Sequence, residues 1–167
     1  MAIPVWTVGE VLSAADVNSW FVPVVVFKAA DEGPITTTTL QNDNELILPL
    51  AAGASYILDG YLIATGNTIG SGDLKIGFLA PSGASFRFTA LGYSLSSASV
   101  LAQSAARSSG TASNGVDGSA ASPVWVRGNV ITTSTAGNLT LQWAENTGSV
   151  TGTSVLAGSW LMLRRVG

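Results

Sequence analysis

Much of this chain alternates large apolar residues with polar or small ones, one for one. Ile57, Asp59, Tyr61 and Ile63 alternate with Leu58, Gly60 and Leu62. Leu74, Ile76 and Phe78 alternate with Lys75 and Gly77, and Leu139, Leu141 and Trp143 with Thr140, Gln142 and Ala144. A period of two puts successive side chains on opposite faces of a strand. Turn-forming clusters separate the runs: Asp31-Glu32-Gly33-Pro34, Ala51-Ala52-Gly53, Gly66-Asn67, Gly70-Ser71-Gly72-Asp73, Pro81-Ser82-Gly83, Ala136-Gly137-Asn138 and Asn146-Thr147-Gly148-Ser149. Turn signals recurring at roughly ten-residue spacing, with no helical period between them, predict an antiparallel sandwich or barrel. The expected fold is all-β, a jelly-roll-like antiparallel β-sandwich of about eight strands.

Near the end, Val155, Ala157, Ser159, Leu161 and Leu163 oppose Leu156, Trp160, Met162 and Arg164. Read as one strand, this run is apolar on both faces. Such a strand belongs in the middle of a sheet or at a subunit interface. Leu156, Trp160 and Met162 are the candidate interface residues.

The opening, MAIPVWTVGEVLSAADVNSWFVPV, has a different pattern. Ser13-Ala14-Ala15-Asp16 resembles a capping box, a hydroxyl at the cap with an acid three residues later. Val17, Trp20 and Phe21 recur at helical spacing, and Pro23 ends the helix. A helix this short is unstable alone and must dock on something. Trp6, Val17, Trp20 and Phe21 are therefore the candidate anchor. The chain divides into an N-terminal anchor arm with a short helix, residues 1–27, and a β-sandwich, residues 28–167.

Residues 94–123 break the strand rhythm. They are nearly all Ser, Ala and Gly, with Val100, Leu101 and Val116 among the few larger apolar residues. The expectation is a long loop, either solvated or pinned against a neighbouring subunit whose backbone the small side chains let approach. A short helix within residues 94–107 is a weaker option.

The segment W-T-x-G-E-V-L-x-A-A-D-V-N-x-W, residues 6–20, resembles the N-terminal segment of small tailed-phage virion proteins. Those are the minor tail, fibre and head-fibre proteins common in phages of actinobacteria. The likeness continues through Thr36-Thr37-Thr38-Thr39-Leu40-Gln41-Asn42-Asp43, Gly70-Ser71-Gly72-Asp73-Leu74-Lys75, Ser134-Thr135-Ala136-Gly137-Asn138-Leu139, Leu141-Gln142-Trp143-Ala144, and Gly158-Ser159-Trp160-Leu161 with Leu163-Arg164-Arg165. The resemblance implies a virion structural protein, assembled in the host cytoplasm and held to the particle by its N-terminus. Fibre-type relatives imply a homotrimer. The resemblance does not separate tail from head.

Composition narrows the function. Of 167 residues, 47% are hydrophobic and 10% charged, against roughly a quarter charged in ordinary soluble domains. A surface so poor in charge suits burial in an assembly. The net charge of −3 comes without the basic face that nucleic-acid binding needs. No apolar run is long enough to span a membrane, residues 22–27 being far too short. The chain has no cysteine, so thiol and disulfide chemistry is excluded. It shows no signal peptide.

Little catalytic chemistry is available. The chain has no histidine, which removes the commonest general base and metal ligand. A Ser-Lys dyad would need Lys28 or Lys75, neither of which sits in a recognisable motif. A glycosidase needs two opposed carboxylates. Asp31, Glu32, Asp43, Glu45, Asp59, Asp73, Asp117 and Glu145 mostly lie at turns, where acids cap backbone. Asp43 and Glu45 are expected on a solvated strand edge rather than around a cation. Trp125, Trp143 and Trp160 lie in strands, where core or subunit packing is the first expectation and an exposed platform for sugar the second. The chain therefore reads as a non-enzymatic virion protein without a cofactor or bound metal. A tail-fibre or minor tail role leads, followed by capsid decoration or head fibre. A carbohydrate-binding module that recognises host cell-surface glycan is the further alternative.

Overall fold

A computed structural model describes residues 7–11, 13–105, 110–118 and 120–167, without the side chains of Asp16, Ser19 and Trp20. It contains one helix, α1 (Ala14–Phe21), and twelve strands: β1 (Val24–Phe27), β2 (Glu32–Ile35), β3 (Gln41–Leu50), β4 (Ser55–Thr65), β5 (Leu74–Leu79), β6 (Ser85–Ser94), β7 (Ser97–Gln103), β8 (Ala112–Asn114), β9 (Ser122–Ile131), β10 (Gly137–Glu145), β11 (Thr153–Val155) and β12 (Trp160–Arg165). The larger sheet runs β1-β12-β4-β9-β6-β7, with β11 beside β4 and β2 beside β11; the smaller runs β3-β10-β5-β8. Every pairing is antiparallel.

Eight of these strands form a jelly roll. If β1, β3, β4, β5, β8, β9, β10 and β12 are numbered one to eight, the sheets run 1-8-3-6 and 2-7-4-5. That is the order two interlocked Greek keys produce. The other four strands are additions. β2 and β11 pair at one corner, and the β6–β7 hairpin extends the larger sheet beyond β9.

The alternating runs place their apolar members between the sheets. Leu58 and Leu62 of β4, Val124, Val126 and Val130 of β9, Phe88 of β6, and Leu161 and Leu163 of β12 face Leu46 and Leu48 of β3, Ile76 and Phe78 of β5, and Leu139, Leu141 and Trp143 of β10. Phe78, Phe86 and Phe88 meet edge-to-face or stacked, with centroids 5.1–6.4 Å apart. Trp143 is fully buried, and its Nε1 is the one buried side-chain polar atom without a partner among the described residues.

Several expectations need correction. The sandwich begins at Val24, not at residue 28, because the β-branched run of β1 pairs with β12 from Val24↔Leu163 to Phe27↔Trp160. Residues 94–123 are not a structureless loop. They contain β7, β8 and the start of β9, because backbone pairing with β6 and β5 orders a segment whose side chains give little signal. Residues 97–103 are strand, which excludes the helical option there. The small residues do allow close backbone approach, but within this chain. A Cβ at Gly118 would overlap Asn67 O, and one at Gly115 would overlap Ser94 O. The final run is two strands, since a turn at Ala157 and Gly158 divides β11 from β12. Ser159 bridges the break: its Oγ accepts from Ile63 N at 2.9 Å and donates to Leu156 O at 2.8 Å.

The molecule has two distinct ends. The antiparallel register puts α1, the start of β1 and the end of β12 at one end, where Val166 N donates to Ser55 O and Ser55 N to Gly167 O. The loops at residues 66–73 and 146–152 lie at the other end, beyond Thr65 and Glu145.

Candidate interaction surface

The smaller sheet covers one face of the larger sheet. The other face looks outward, and cross-strand register writes a pattern on it. One row runs Phe27, Trp160, Tyr61, Trp125, Leu91, Gln103 across six strands. The next runs Val25, Met162, Asp59, Arg127, Thr89, and a third runs Arg164, Ile57, Asn129, Arg87. The face therefore grades from an aromatic row, through a row centred on one ion pair, to a polar row. Arg127 Nε lies 3.2 Å from Asp59 Oδ1 in that pair.

The aromatic row is only partly covered. Phe27 is 63% exposed and Trp125 42%, while Trp160 is half-buried; beside the row, Leu101 is 57% exposed and Met162 half-buried. The Tyr61 and Trp125 rings meet edge-on, with centroids 5.6 Å apart at 64°. Large contiguous apolar surface of this kind marks an interaction site. Two of the three expected interface residues, Trp160 and Met162, sit together beside the exposed Phe27 and Val25 of edge strand β1. Leu156 lies beyond the Ala157–Gly158 turn, half-buried, with its N–H donating to Ile63 O at 2.8 Å.

Of the anchor residues, Trp6 and the side chain of Trp20 lie outside the described residues. Val17 is half-buried and Phe21 is 59% exposed. Helix α1 starts after Ser13, whose carbonyl accepts from Val17 N at 3.1 Å. Before it, Thr7-Val8-Gly9-Glu10 forms a turn. Glu10 N donates to Thr7 O at 3.1 Å, Glu10 Oε2 accepts from Thr7 N at 3.0 Å, and Gly9 has φ 91°. The T-x-G-E part of the N-terminal segment is therefore a turn whose third position suits glycine. A depression of about 390 Å³ opens between α1, β1 and the end of β3, with Val22, Val24, Pro49, Leu50 and Leu163 in its walls.

Lys28 and most of the acids are structural in their geometry. Lys28 Nζ is buried, 2.6 Å from Glu32 Oε2, 2.9 Å from Asp43 Oδ2 and 3.7 Å from Glu45 Oε2. Burial disfavours its ammonium, but the hydrogen bonds and charges of Glu32 and Asp43 outweigh burial and raise its pKa above the ordinary value. A lysine held protonated is a poor general base. Asp43 is fully buried rather than on a solvated edge. Its Oδ1 accepts from Glu45 N at 2.9 Å and Leu46 N at 2.8 Å. These bonds hold a bulge in β3 where register with β10 shifts between Asn42↔Gln142 and Ile47↔Thr140. Glu45 accepts from Ala29 N and Ala30 N, Asp31 from Ala157 N, and Asp73 from Gly70 N and Val116 N. Burial raises the Asp73 carboxyl despite the two backbone N–H groups that lower it. Lys75 Nζ donates to Thr38 O.

Among the described residues, no group of three or more His, Cys, Asp or Glu could hold a metal ion, and no helix is long and apolar enough to cross a membrane. The first expectation for Trp125, core or subunit packing, did not separate it from the fully buried Trp143. The signal that could have done so was parity: Trp125 shares it with Arg127 and Asn129, whereas Val124 and Val126 take the inward positions.

No protein-family model matches the chain, and no curated protein matches it either. Among solved structures, the tripod (BppUct-A-L) from the baseplate of bacteriophage Tuc2009 is similar over 98% of this chain and 74% of that one, at 8% identity and a TM-score of 0.35. A structure of infectious bursal disease virus Gt strain is similar over 98% of this chain and 45% of that one, at 11% identity and a TM-score of 0.20.

Proposed function

We infer that this chain is a non-enzymatic structural protein of a tailed-phage virion, attached through its N-terminal segment and projecting the jelly roll outward. The tail-fibre or minor tail role is preferred, with capsid decoration or head fibre as the alternative. The observation that carries the reading is the aromatic row on the outward sheet face, a surface suited to assembly on a fold whose buried acids and Lys28 are committed to structure. The N-terminal segment's likeness to small virion proteins supplies the particle. The two-ended geometry supports the arrangement, since α1 leaves from one end and long loops crown the other.

Phe27, Val25, Trp160 and Met162 form the self-association edge in this reading, and the assembly is a homotrimer. Aromatic anchors in a desolvated patch supply most of the energy of such interfaces. Cryo-electron microscopy of purified particles tests location and stoichiometry together. A few to tens of copies on the tail supports the preferred role, and a hundred or more on the head supports the alternative. A chain missing from the particle overturns the reading. Light scattering of purified protein tests the trimer separately, and a clean monomer at micromolar concentration removes it.

A further inference from the structure

The half of the outward face away from β1 carries a second feature. Where β9, β6 and β7 lie side by side, Trp125, Arg127, Thr89, Leu91, Leu101 and Gln103 enclose a shallow depression of about 410 Å³. That is within the range of roughly 300–1,000 Å³ usual for small-molecule sites. We propose that this depression binds a pyranose ring of a glycan, stacked on the Trp125 indole.

Three observations carry the proposal. The indole is partly exposed where its β9 neighbours Val124 and Val126 are sealed, and it packs against the Tyr61 ring at 64°. A fixed ring presents its electron-rich face without further loss of side-chain freedom, and the C–H face of a pyranose is its complement. Leu91 and Leu101 widen the apolar floor. The rim supplies polar groups of both kinds. The Arg127 side chain is 77% exposed, and Asp59 engages its Nε, which leaves its Nη donors for a ligand. Gln103 adds an amide donor and acceptor. Thr89 Oγ1 donates to Ser104 O at 2.7 Å, so towards the depression it acts as an acceptor. An apolar floor ringed by mixed donors and acceptors matches a polyhydroxylated ring better than an apolar peptide. Strand β4 separates this site from the Phe27–Trp160 edge, so a neighbouring copy on that edge leaves it open.

The inference does not rest on a place in the virion, and its test uses the isolated chain. The methyl glycosides of glucose, galactose, rhamnose and N-acetylglucosamine are titrated while the Trp125 indole N–H is followed by NMR, its signal assigned with Trp125→Phe. The expected result is a saturable shift with at least one glycoside. Trp125→Ala should weaken binding at least about tenfold, while the protein still melts cooperatively. Trp125→Tyr should retain binding, and Arg127→Met should weaken it while leaving the floor intact. Indifference to all four glycosides overturns the proposal, as does binding that survives in both Trp125→Ala and Arg127→Met. A Trp125 signal that moves with protein dilution instead of glycoside also overturns it, since the depression would then be an interface between copies.

Discussion

Lys28 and Asp43 form an ion pair sealed from solvent, Nζ to Oδ2 2.9 Å, that ties the end of β1 to the bulge of β3. Removing one member of a buried pair strands the other charge, which costs about 3–5 kcal/mol. Lys28→Met should lose that much in urea unfolding at neutral pH. The folded Lys28 pKa lies above the ordinary 10.5. Its contribution is therefore fully present below that value and is lost as pH rises through the folded pKa. The gap between parent and Lys28→Met should stay constant through neutral pH and narrow only in strong alkali.

Asp73 has the same sign of shift from a different cause. Burial raises its folded pKa above 3.8. The folded state therefore binds the proton more tightly, and this group's contribution is lost as pH rises through the folded value. Measured against Asp73→Asn, which does not titrate, the parent should gain relative stability as pH falls from neutral towards 4. A gap moving the other way in pH-dependent chemical denaturation would contradict burial as the dominant influence.

Trp143 combines a large buried volume with an unpartnered Nε1. Leaving a buried donor unpaired costs about 1–3 kcal/mol, and truncating a buried tryptophan to alanine about 3–5 kcal/mol. Trp143→Phe removes the orphan donor and keeps an aromatic ring. It should cost clearly less than Trp143→Ala, which costs the full amount. A phenylalanine variant as damaged as the alanine one in urea unfolding would mean that Nε1 has a partner.

The N-terminal segment should be dispensable for folding. Phe21 is 59% exposed, so the fold gains little from it. Deletion of residues 3–21 should leave a folded β domain that no longer joins the particle. Phe21→Ala should change stability by under about 0.5 kcal/mol, as for a surface change, yet reduce incorporation. A large drop in melting temperature would assign the segment to the domain's own core.

The jelly roll was legible in the sequence where large apolar residues recur at every second position. β4, β5 and β10 were legible because Leu58 and Leu62, Ile76 and Phe78, and Leu139 and Leu141 repeat at period two between turn residues. β7 and β8 were not, because Ser, Ala and Asn show little contrast between faces and their order comes from backbone pairing at sheet edges. The Asp43 bulge was hidden for a related reason. An acid in an Asn-Asp-Asn-Glu run looks solvated until Lys28, distant in sequence, is brought against it. The interaction surface was half visible. Trp160 and Met162 were identified from a two-faced apolar run, but the row joining Trp160 to Trp125 exists only through the register of strands far apart in the chain.

The placement of β1 beside β12, with α1 and Gly167 at the same end, has a mechanical consequence. Pulling the two chain ends apart would peel this pair open like a zipper, from Val24↔Leu163 onward. A molecule gripped by its N-terminal segment and dragged by the far loops is loaded along the strands instead. The registered pairs between Val24 and Phe27 then share the force together, and rupture requires them to slide past one another at once. The same architecture is soft in one pulling direction and stiff in the one that a projecting appendage would experience.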